Sequence, residues 1–567
     1  MNKKLWLKLL SLGLAAIFCL GMLVGCVGKG NKEESSDSKD VVDSTADTKD
    51  TDAVTDNGAE SDSDVSSDVV DSDSDADTDV EGDESDLESD SNGENESASD
   101  ETDTEDETEV EVDVLEGIKY NGEVVKVLSW IPSNLKEYVP EFVAGSNIVE
   151  QKTFERMEKT KKQLGIGVNW VEEPGNSAAM DGFVQKASTG IMVGDYDVIC
   201  CYSQIASTLT VSGFSSNLLG YETMDFSQEW YPQNFVNDCN MFDKLYFCTG
   251  DISTNLVNMT SMVFFNHELM DEYKINEKIQ QIYEEENIYA LVREGKWTQE
   301  ALITLSKGVW EDSDNSGTAT SGDTVGFSTY YTLLCNFYYG AGYKTINVGD
   351  TGVSLSPDYL DSGIVIDILD TVGTFLHESG DAYYCGSFDE AQKMFSEGRS
   401  LFSLAPASHA YVSHAKSDVE FGALPVPKGS IDQPYYNSVH SRPYSMFLVP
   451  NTSEQADIAA SFIQCLGKWS YTTTRKAIIE TTMKGRYAAL GVEDAEMWDY
   501  IIDSQTFDMG RVFESMFLHS NNRANTDLFP VRLSANSTDW ASIVETYRAE
   551  LETQCGDVNS MLQTFSD

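Results

Sequence analysis

Apolar residues recur with two different spacings from about residue 115 onward. Short runs rich in β-branched residues predict strands at 124–129, 168–171, 197–201, 245–249, 262–266 and 400–404. Apolar residues at every third or fourth position predict helices between them, the clearest at 149–164 and 357–376. Ser387 and Glu390 form a capping box that begins another helix. Strands that alternate with helices in this way predict doubly wound α/β lobes.

The length and charge of this part of the chain restrict the number of lobes and the class of partner. It spans roughly 450 residues, which suggests two or more lobes. Its net charge is about −31 once the preceding segments are subtracted from the −59 of the whole chain. A nucleic-acid partner would require a basic face, so the charge argues against one.

A different composition precedes the lobes. Residues 31–113 hold 35 Asp or Glu, 3 Lys and no aromatic residue, hence a net charge of −32. Such a segment has too little apolar surface to fold, and its like charges repel one another. We therefore predict that residues 26–114 form a disordered acidic linker, a stalk that carries the lobes.

The first residues are typical of an export signal. Three basic residues, Lys3, Lys4 and Lys8, precede an apolar run at 9–24. The ending Leu-Val-Gly-Cys at 23–26 resembles the lipobox, so we predict a signal peptide at 1–25 and a lipid on Cys26. A membrane-spanning anchor is the alternative, but the run is shorter than the roughly 20 residues that a spanning helix needs. The mature chain would be tethered to the outer face of the cell membrane.

Eight cysteines remain after Cys19 is lost with the signal and Cys26 is lipidated. They are Cys200, Cys201, Cys239, Cys248, Cys335, Cys385, Cys465 and Cys555. An exported protein is able to form disulfides, but most of these cysteines lie in apolar runs, which favours buried free thiols. No C-x-x-C pair is present, which argues against a structural zinc site.

Five motifs in order resemble those of extracellular solute-binding proteins of ABC importers, in the sugar-type family 1. They are Gly-Asp-Tyr-Asp-Val-Ile at 194–199, Lys-Leu-Tyr-Phe at 244–247 with Val-Phe-Phe-Asn-His-Glu-Leu at 263–269, Gly-Lys-Trp-Thr at 295–298, Ser-Glu-Gly-Arg-Ser-Leu-Phe at 396–402, and Gly-Ala-Leu-Pro-Val-Pro-Lys at 422–428. Two positions depart from the family pattern: Cys248 stands near an expected proline, and His267 replaces the usual lysine.

The resemblance implies a two-lobed periplasmic-binding-protein-like fold of class II, with hinge crossovers near 251–263, 437–448 and 508. The N-lobe would comprise about 118–255 and 445–507, and the C-lobe about 260–440 and 508–567. Such a protein binds a solute between its lobes and delivers it to an ABC permease, without a cofactor and as a monomer. In a Gram-positive type of cell, the lipid on Cys26 would retain it near the permease.

Aromatic residues at strand ends and in loops suit a carbohydrate, whose CH faces pack on flat rings. Trp130 directly follows the first strand, Asp251 stands at a crossover as an acceptor for hydroxyls, and Arg442 is a donor. Core packing is the alternative role for each residue. The predicted ligand-binding residues are Trp130, Tyr202, Trp230, Asp251, Tyr330, Tyr436, Arg442 and Tyr444.

One acidic loop resembles a calcium-binding loop. Asp312, Asp314 and Ser316 occupy positions 1, 3 and 5, Gly317 follows at position 6, and Asp323 is the acid at position 12. The loop predicts a structural Ca²⁺ site, and a polar turn without an ion is the alternative.

Two other functional classes remain open. A surface-anchored carbohydrate-binding protein or sensor accessory would share these features without a transport role. An exported polysaccharide-active enzyme would need a pair of carboxylates, and the many acids of this chain make any chosen pair uninformative. The motifs G-x-S-x-G, the P-loop and G-x-G-x-x-G in a βα context are missing from the sequence, which favours a protein that is not an enzyme.

Overall fold

The computed structural model describes residues 113–349, 351–487, 491–517 and 527–565. The predicted export signal, Cys26 and nearly all of the acidic linker therefore lie outside the described residues. The strands are β1 (Val124–Trp130), β2 (Gly167–Glu173), β3 (Val198–Tyr202), β4 (Ser261–Asn266), β5 (Val325–Tyr330), β6 (Ile346–Gly349), β7 (Gly352–Leu355), β8 (Ala382–Cys385), β9 (Ser400–Pro406), β10 (Phe421–Leu424), β11 (Ser438–Val439), β12 (Ser445–Leu448) and β13 (Gln505–Thr506).

Helices fill most of the remaining described chain. They are α1 (Ile148–Leu164), α2 (Met180–Val193), α3 (Ser203–Val211), α4 (Gln233–Cys239), α5 (His267–Glu272), α6 (Ile275–Tyr283), α7 (Ile288–Arg293), α8 (Gln299–Ser306), α9 (Asn336–Gly340), α10 (Pro357–Leu360), α11 (Ser362–Glu378), α12 (Phe388–Ser396), α13 (His409–Val412), α14 (Ala456–Thr472), α15 (Thr474–Lys476), α16 (Val492–Asp503), α17 (Met509–Val512), α18 (Leu528–Ser534) and α19 (Trp540–Thr564), with a π-helix at Ala477–Tyr487.

The first sheet has the strand order β12-β3-β1-β2. Strand β1 runs parallel to β2 and β3, and β12 runs antiparallel to β3. Every residue of β3 is buried, as its continuous apolar run predicts. Helix α1 begins where the side chain of Asn147 accepts the backbone N–H of Glu150 and ends at Gly165, whose φ of 68° is left-handed. It packs against α14 beside this sheet.

The second sheet has the order β10-β4-β9-β5-β8. Strand β5 runs parallel to β8 and β9, whereas β4 runs antiparallel to β9 and β10. The carboxyl ends of β5, β8 and β9 therefore lie at the same edge as the amino end of β4. Helix α16 lies within the 445–507 part that the sequence assigns to the first lobe, yet it packs against β10 of the second sheet.

The chain passes between the two sheets three times. The first crossing is residues 249–260, the second is 437–444, and the third lies between α14, which packs on α1, and α16, which packs on β10. Residues 504–508, near the third predicted crossover, follow α16, and β13 within them pairs in parallel with β11 of the second crossing. Thr260 of the first crossing forms an antiparallel bridge with His440 of the second. Two α/β lobes joined by three crossings confirm the predicted two-lobed fold.

Two predicted elements are wrong in detail. Residues 245–249 form only one bridge, between Cys248 and Phe447, and the chain turns away at Gly250, whose φ is 136°. The helix predicted at 357–376 is two helices, α10 and α11. Asp361 separates them in an extended conformation, and its carboxylate accepts the backbone N–H of Gly363 at 2.9 Å as the cap of the second helix.

The eight cysteines after Cys26 are all free and buried in the described structure. This confirms the interpretation that they act as small hydrophobic residues. Burial raises the pKa of Cys465 to about 12 and that of Cys555 to about 11, so both thiols are protonated at neutral pH.

Candidate functional site

The predicted ligand-binding residues at the end of the first sheet are brought together, but they are buried. Trp130 ends β1 and Tyr202 ends β3, and their rings pack edge to face at 5.2 Å. The indole N–H of Trp130 donates to the hydroxyl of Ser445 at 2.8 Å. Trp130, Tyr202 and Tyr444 are 0, 4 and 6 % exposed. Burial raises the pKa of Tyr202 to about 12. A solute reaches these rings only if neighbouring groups move.

Arg442 belongs to a charged network that links three parts of the chain. Its guanidinium donates to the carboxylate of Glu514 at 2.6 Å and lies 3.6 Å from a carboxylate oxygen of Asp527. The amide of Gln204, in α3, donates to the second oxygen of Glu514 at 2.5 Å. Sequence reasoning missed Glu514 and Gln204, because their positions in the chain give no sign that they meet Arg442.

Tyr330 lies at the corresponding edge of the second sheet. Its ring contacts that of Phe388 at 5.6 Å, and Phe388 contacts His409 at 4.5 Å. Tyr330 and His409 are buried, whereas Phe388 is 39 % exposed. Phe388 thus presents a partly open aromatic surface at this edge. Helical spacing does not distinguish it, because Phe388 lies on the same face of α12 as the buried Ala391 and Phe395.

Buried polar atoms without partners surround this edge. Within the described residues, no hydrogen bond reaches Oδ1 of Asn258, Oδ1 of Asn336 or either ring nitrogen of His409. The three residues are close in the fold, because the N–H of Ser408 donates to the carbonyl of Asn258 and the amide of Asn336 donates to Ser261. Buried polar groups are normally paired. These atoms are suited to hydrogen bonds with the hydroxyls of a bound molecule.

Trp230 and Asp251 form a separate group. The N–H of Asp251 donates to the carbonyl of Trp230 at 3.0 Å, and its carboxylate lies 3.3 Å from Nε of Arg475. Burial raises the pKa of Asp251 to about 7, although Arg475 opposes the shift. Within the described structure, no hydrogen bond or ring contact joins this pair to Trp130, Tyr202 or Arg442.

Tyr436 contacts other parts of the second lobe. Its hydroxyl donates to the carbonyl of Val292 at 2.9 Å, and its ring meets that of Tyr500 at 6.3 Å. The ammonium of Lys428 lies 5.5 Å from the ring centre. These contacts with α7 and α16 account for its partial burial, and its predicted role in ligand binding stays a prediction.

The acidic loop brings three carboxylates together. Oxygens of Asp312, Asp314 and Asp323 lie within 4.8 Å of one another. Burial acts to raise the pKa of Asp323, but backbone N–H groups of Thr320 and Ser313 outweigh it, so this pKa lies below its ordinary value. The predicted fourth ligand, Ser316, donates its hydroxyl to the carbonyl of Thr318 at 2.8 Å. The carboxylates accept hydrogen bonds within the loop, so the ion and the polar turn both remain open.

If the loop binds calcium, adding the ion should stabilise the protein. Extracellular sites have dissociation constants near ~0.1 mM, so about 1 mM Ca²⁺ would add about 1.4 kcal/mol to the free energy of unfolding. The melting temperature with calcium should exceed that with chelator, and Asp314→Asn should remove the difference. Magnesium at the same concentration is the control. An equal melting temperature with calcium and with chelator would identify a polar turn.

Two further findings concern the chain as a whole. The described helices include none that is long and apolar enough to cross a membrane. No protein-family model matches the chain, and no curated protein matches it.

Several solved structures are similar to the chain at low identity. An ABC substrate-binding protein from Listeria monocytogenes in complex with cycloalternan has 12 % identity, covers 77 % of this chain and 100 % of its own, and gives a TM-score of 0.46. A cyclic alpha-maltosyl-1,6-maltose binding protein from Arthrobacter globiformis has 13 % identity, covers 77 % of this chain and 99 % of its own, and gives a TM-score of 0.47. The GacH receptor of Streptomyces glaucescens has 16 % identity, covers 79 % of this chain and 100 % of its own, and gives a TM-score of 0.45. At this level of likeness, the fold assignment depends on the sheets and crossings of the chain itself.

Proposed function

We propose that this chain is the substrate-binding lipoprotein of an ABC importer and that it binds an extracellular carbohydrate between its two lobes. One observation carries the proposal. At the edge of the second sheet, beside the crossings, the unpaired atoms of Asn258, Asn336 and His409 accompany the exposed ring of Phe388. A sugar offers both an apolar face for the ring and hydroxyls for the unpaired atoms.

The two edges have complementary roles in this proposal. The second lobe supplies the ring and the unpaired polar atoms, and the first lobe supplies Trp130, Tyr202 and Arg442. Because Trp130 and Tyr202 are buried, binding requires the lobes to separate and then close on the solute by rotation at the crossings. The chain performs no chemistry on its ligand in this role.

Retention at the membrane completes the proposed function. A lipid on Cys26 would hold the protein at the outer face of the cell membrane, and a permease in the same membrane would receive the solute. A sensor or adhesin would bind sugar in the same way without a permease. Permease genes beside this gene favour the importer, and their absence favours the other two roles.

A binding screen tests the carbohydrate proposal. The mature chain, with Cys26→Ala, is titrated with maltotetraose, cellotetraose and xylotetraose, and with trialanine and spermidine as non-sugar probes. At least one oligosaccharide should raise the melting temperature by stabilising the bound state. Stabilisation by a non-sugar alone would refute the carbohydrate assignment but not the binding-protein assignment.

A variant connects that result to the edge of the second sheet. Phe388→Ala should weaken binding of the active oligosaccharide about tenfold or more, because an aromatic contact contributes roughly 0.5–1.5 kcal/mol beyond its buried area. Tyr435→Ala is the matched control, since Tyr435 is an aromatic residue that is 75 % exposed. Equal losses in both variants, or none in either, would exclude Phe388 from the site.

A further inference from the structure

A buried ion pair lies where two crossings meet the first lobe. Glu137 follows β1 in the chain and Arg156 is in α1, and a nitrogen of Arg156 lies 3.2 Å from a carboxylate oxygen of Glu137. Both side chains are 0 % exposed. Burying two charges removes their hydration, and apolar residues of similar size often give equal or greater stability. Stability alone therefore does not account for such a pair.

The carboxylate of Glu137 binds both crossings. From the first crossing it accepts hydrogen bonds from the hydroxyl of Ser253 at 3.2 Å, the backbone N–H of Thr254 at 2.9 Å and the amide of Asn255 at 3.2 Å. The hydroxyl of Ser445, where the second crossing enters β12, donates to it at 2.7 Å. One side chain thus fixes the first-lobe ends of two separate connections.

Arg156 ties the same point to the helices of the first lobe. Its guanidinium donates to the carbonyl of Ile252 at 2.7 Å, to the carbonyl of Glu137 at 2.7 Å and to the hydroxyl of Ser470 at 2.9 Å. Ile252 belongs to the first crossing, and Ser470 is in α14, which packs on α1. The ion pair is therefore anchored on two helices as well as on the crossings.

The network also reaches a predicted ligand-binding residue. The hydroxyl of Ser445 donates to Glu137 and accepts the indole N–H of Trp130. Trp130 in turn packs on Tyr202, at the end of the neighbouring strand. The orientation of the Trp130 ring and the ends of the crossings thus depend on one carboxylate.

We propose that Glu137, paired with Arg156, is a positioning residue that fixes the first-lobe ends of the first and second crossings and so restricts the angle between the lobes. The proposal rests on the proposed function, in which the lobes move about these crossings. The lobes would then rotate relative to each other about the residues beyond the fixed ends, which are 256–260 in the first crossing and 440–444 in the second. Covalent chemistry has no part in this role.

The test measures the distance between the lobes without any solute. Spin labels are attached at Met192→Cys in the first lobe and Ile282→Cys in the second, which are 58 and 52 % exposed, while the eight native cysteines of the described chain are buried. Glu137→Gln keeps the shape of the side chain but removes its charge and one acceptor. Its distance distribution, from double electron–electron resonance on the mature chain with Cys26→Ala, should be about twofold broader than that of the same labelled chain with Glu137 intact.

Two controls separate positioning from stability. Leu302→Ala, a buried substitution in α8 of the second lobe, lowers the melting temperature without touching the crossings and should leave the distribution unchanged. Ser253→Ala and Ser445→Ala each remove one of the hydrogen bonds to the Glu137 carboxylate and should broaden the distribution to a lesser degree, even if Glu137→Gln does not fold. An unchanged distribution in both serine variants overturns the proposal. So does equal broadening in Leu302→Ala. Failure of the sugar screen with a broadened distribution would refute the proposed function alone.

Discussion

Lowering the pH from 7.5 to 5.5 is expected to destabilise the protein, because three buried histidines are neutral in the folded state. Burial lowers the pKa of His409 and of His440 to about 3, and it lowers the pKa of His414 well below its ordinary value. An unfolded histidine has a pKa of about 6.5. The unfolded chain therefore binds protons in this range of pH while the folded chain does not.

The surroundings of these rings explain the direction of the shifts. His414 packs against Phe264 at 4.8 Å and Phe395 at 4.4 Å, and it meets His409 at 5.4 Å. His440 stacks on Phe507 at 4.8 Å. Besides burial, the proximity of His409 disfavours a charge on His414, and the proximity of Arg511 disfavours a charge on His440.

The sign and size of the effect follow from proton linkage. A depressed histidine pKa contributes stability that is fully present above about pH 6.5 and is lost as the pH falls below it. Each histidine then costs about 1.4 kcal/mol at pH 5.5, or about 4 kcal/mol for the three. Asp251 acts in the opposite direction, because its pKa of about 7 lets the folded state gain a proton first. That gain offsets about 2 kcal/mol, which leaves a loss of about 2 kcal/mol from these four groups together.

Two variants separate the contribution of the histidines from that of Asp251. The free energy of unfolding is measured in urea at pH 7.5 and at pH 5.5 for each. In Asp251→Asn the loss should increase towards about 4 kcal/mol, because the opposing group is removed. In His414→Phe, whose new ring suits the phenylalanines around it, the loss should be smaller by about 1.4 kcal/mol than in the wild type. An equal loss in the wild type and His414→Phe would mean that His414 is protonated in the folded protein.

Local sequence patterns predicted the elements whose own residues determine them. Strands β1, β3 and β9 lie in short segments rich in apolar residues, and Ser387 caps α12 as predicted, with its hydroxyl accepting the N–H of Glu390 at 3.1 Å. The strand predicted at 245–249 was wrong, because a strand also needs a partner strand along its length. Cys248 meets its partner only once before the chain turns at Gly250.

The candidate site was less accessible to sequence reasoning, since it depends on contacts between distant residues. Chain position at the end of a strand was enough to name Trp130 and Tyr202 as candidate ligand-binding residues, but only the structure shows that their rings are in contact. Nothing local distinguishes Asn258 or Asn336 from a solvated asparagine, and their unpaired atoms are evident only once both are buried at one edge. Glu137 was missed for the same reason, because its partners lie 19 to 308 positions away along the chain.

Replacing Trp297 by alanine is expected to destabilise the second lobe by about 3–5 kcal/mol. Trp297 belongs to the Gly-Lys-Trp-Thr motif at 295–298 and is 0 % exposed. Its indole N–H donates to the carbonyl of Pro425 at 2.9 Å, and its ring packs on Phe402 of β9 at 5.6 Å. The side chain thus joins α8 to the sheet and to the segment after β10. Alanine would leave a cavity and an unpaired buried carbonyl.

Amide hydrogen exchange, compared between the strands of the two lobes, would show which lobe Trp297→Ala destabilises. In Trp297→Ala, amides of β4, β5 and β9 should exchange faster, while those of β1 and β3 should keep their protection, because the indole N–H and ring of Trp297 contact Pro425 and Phe402 of the second lobe. Trp230→Ala, in a half-buried tryptophan of the first lobe, is the matched control and should spare the second lobe. Equal loss in both lobes of Trp297→Ala would show that the lobes unfold as one unit. The motif's tryptophan would then stabilise the whole two-lobed domain, and its effect would be transmitted through the three crossings.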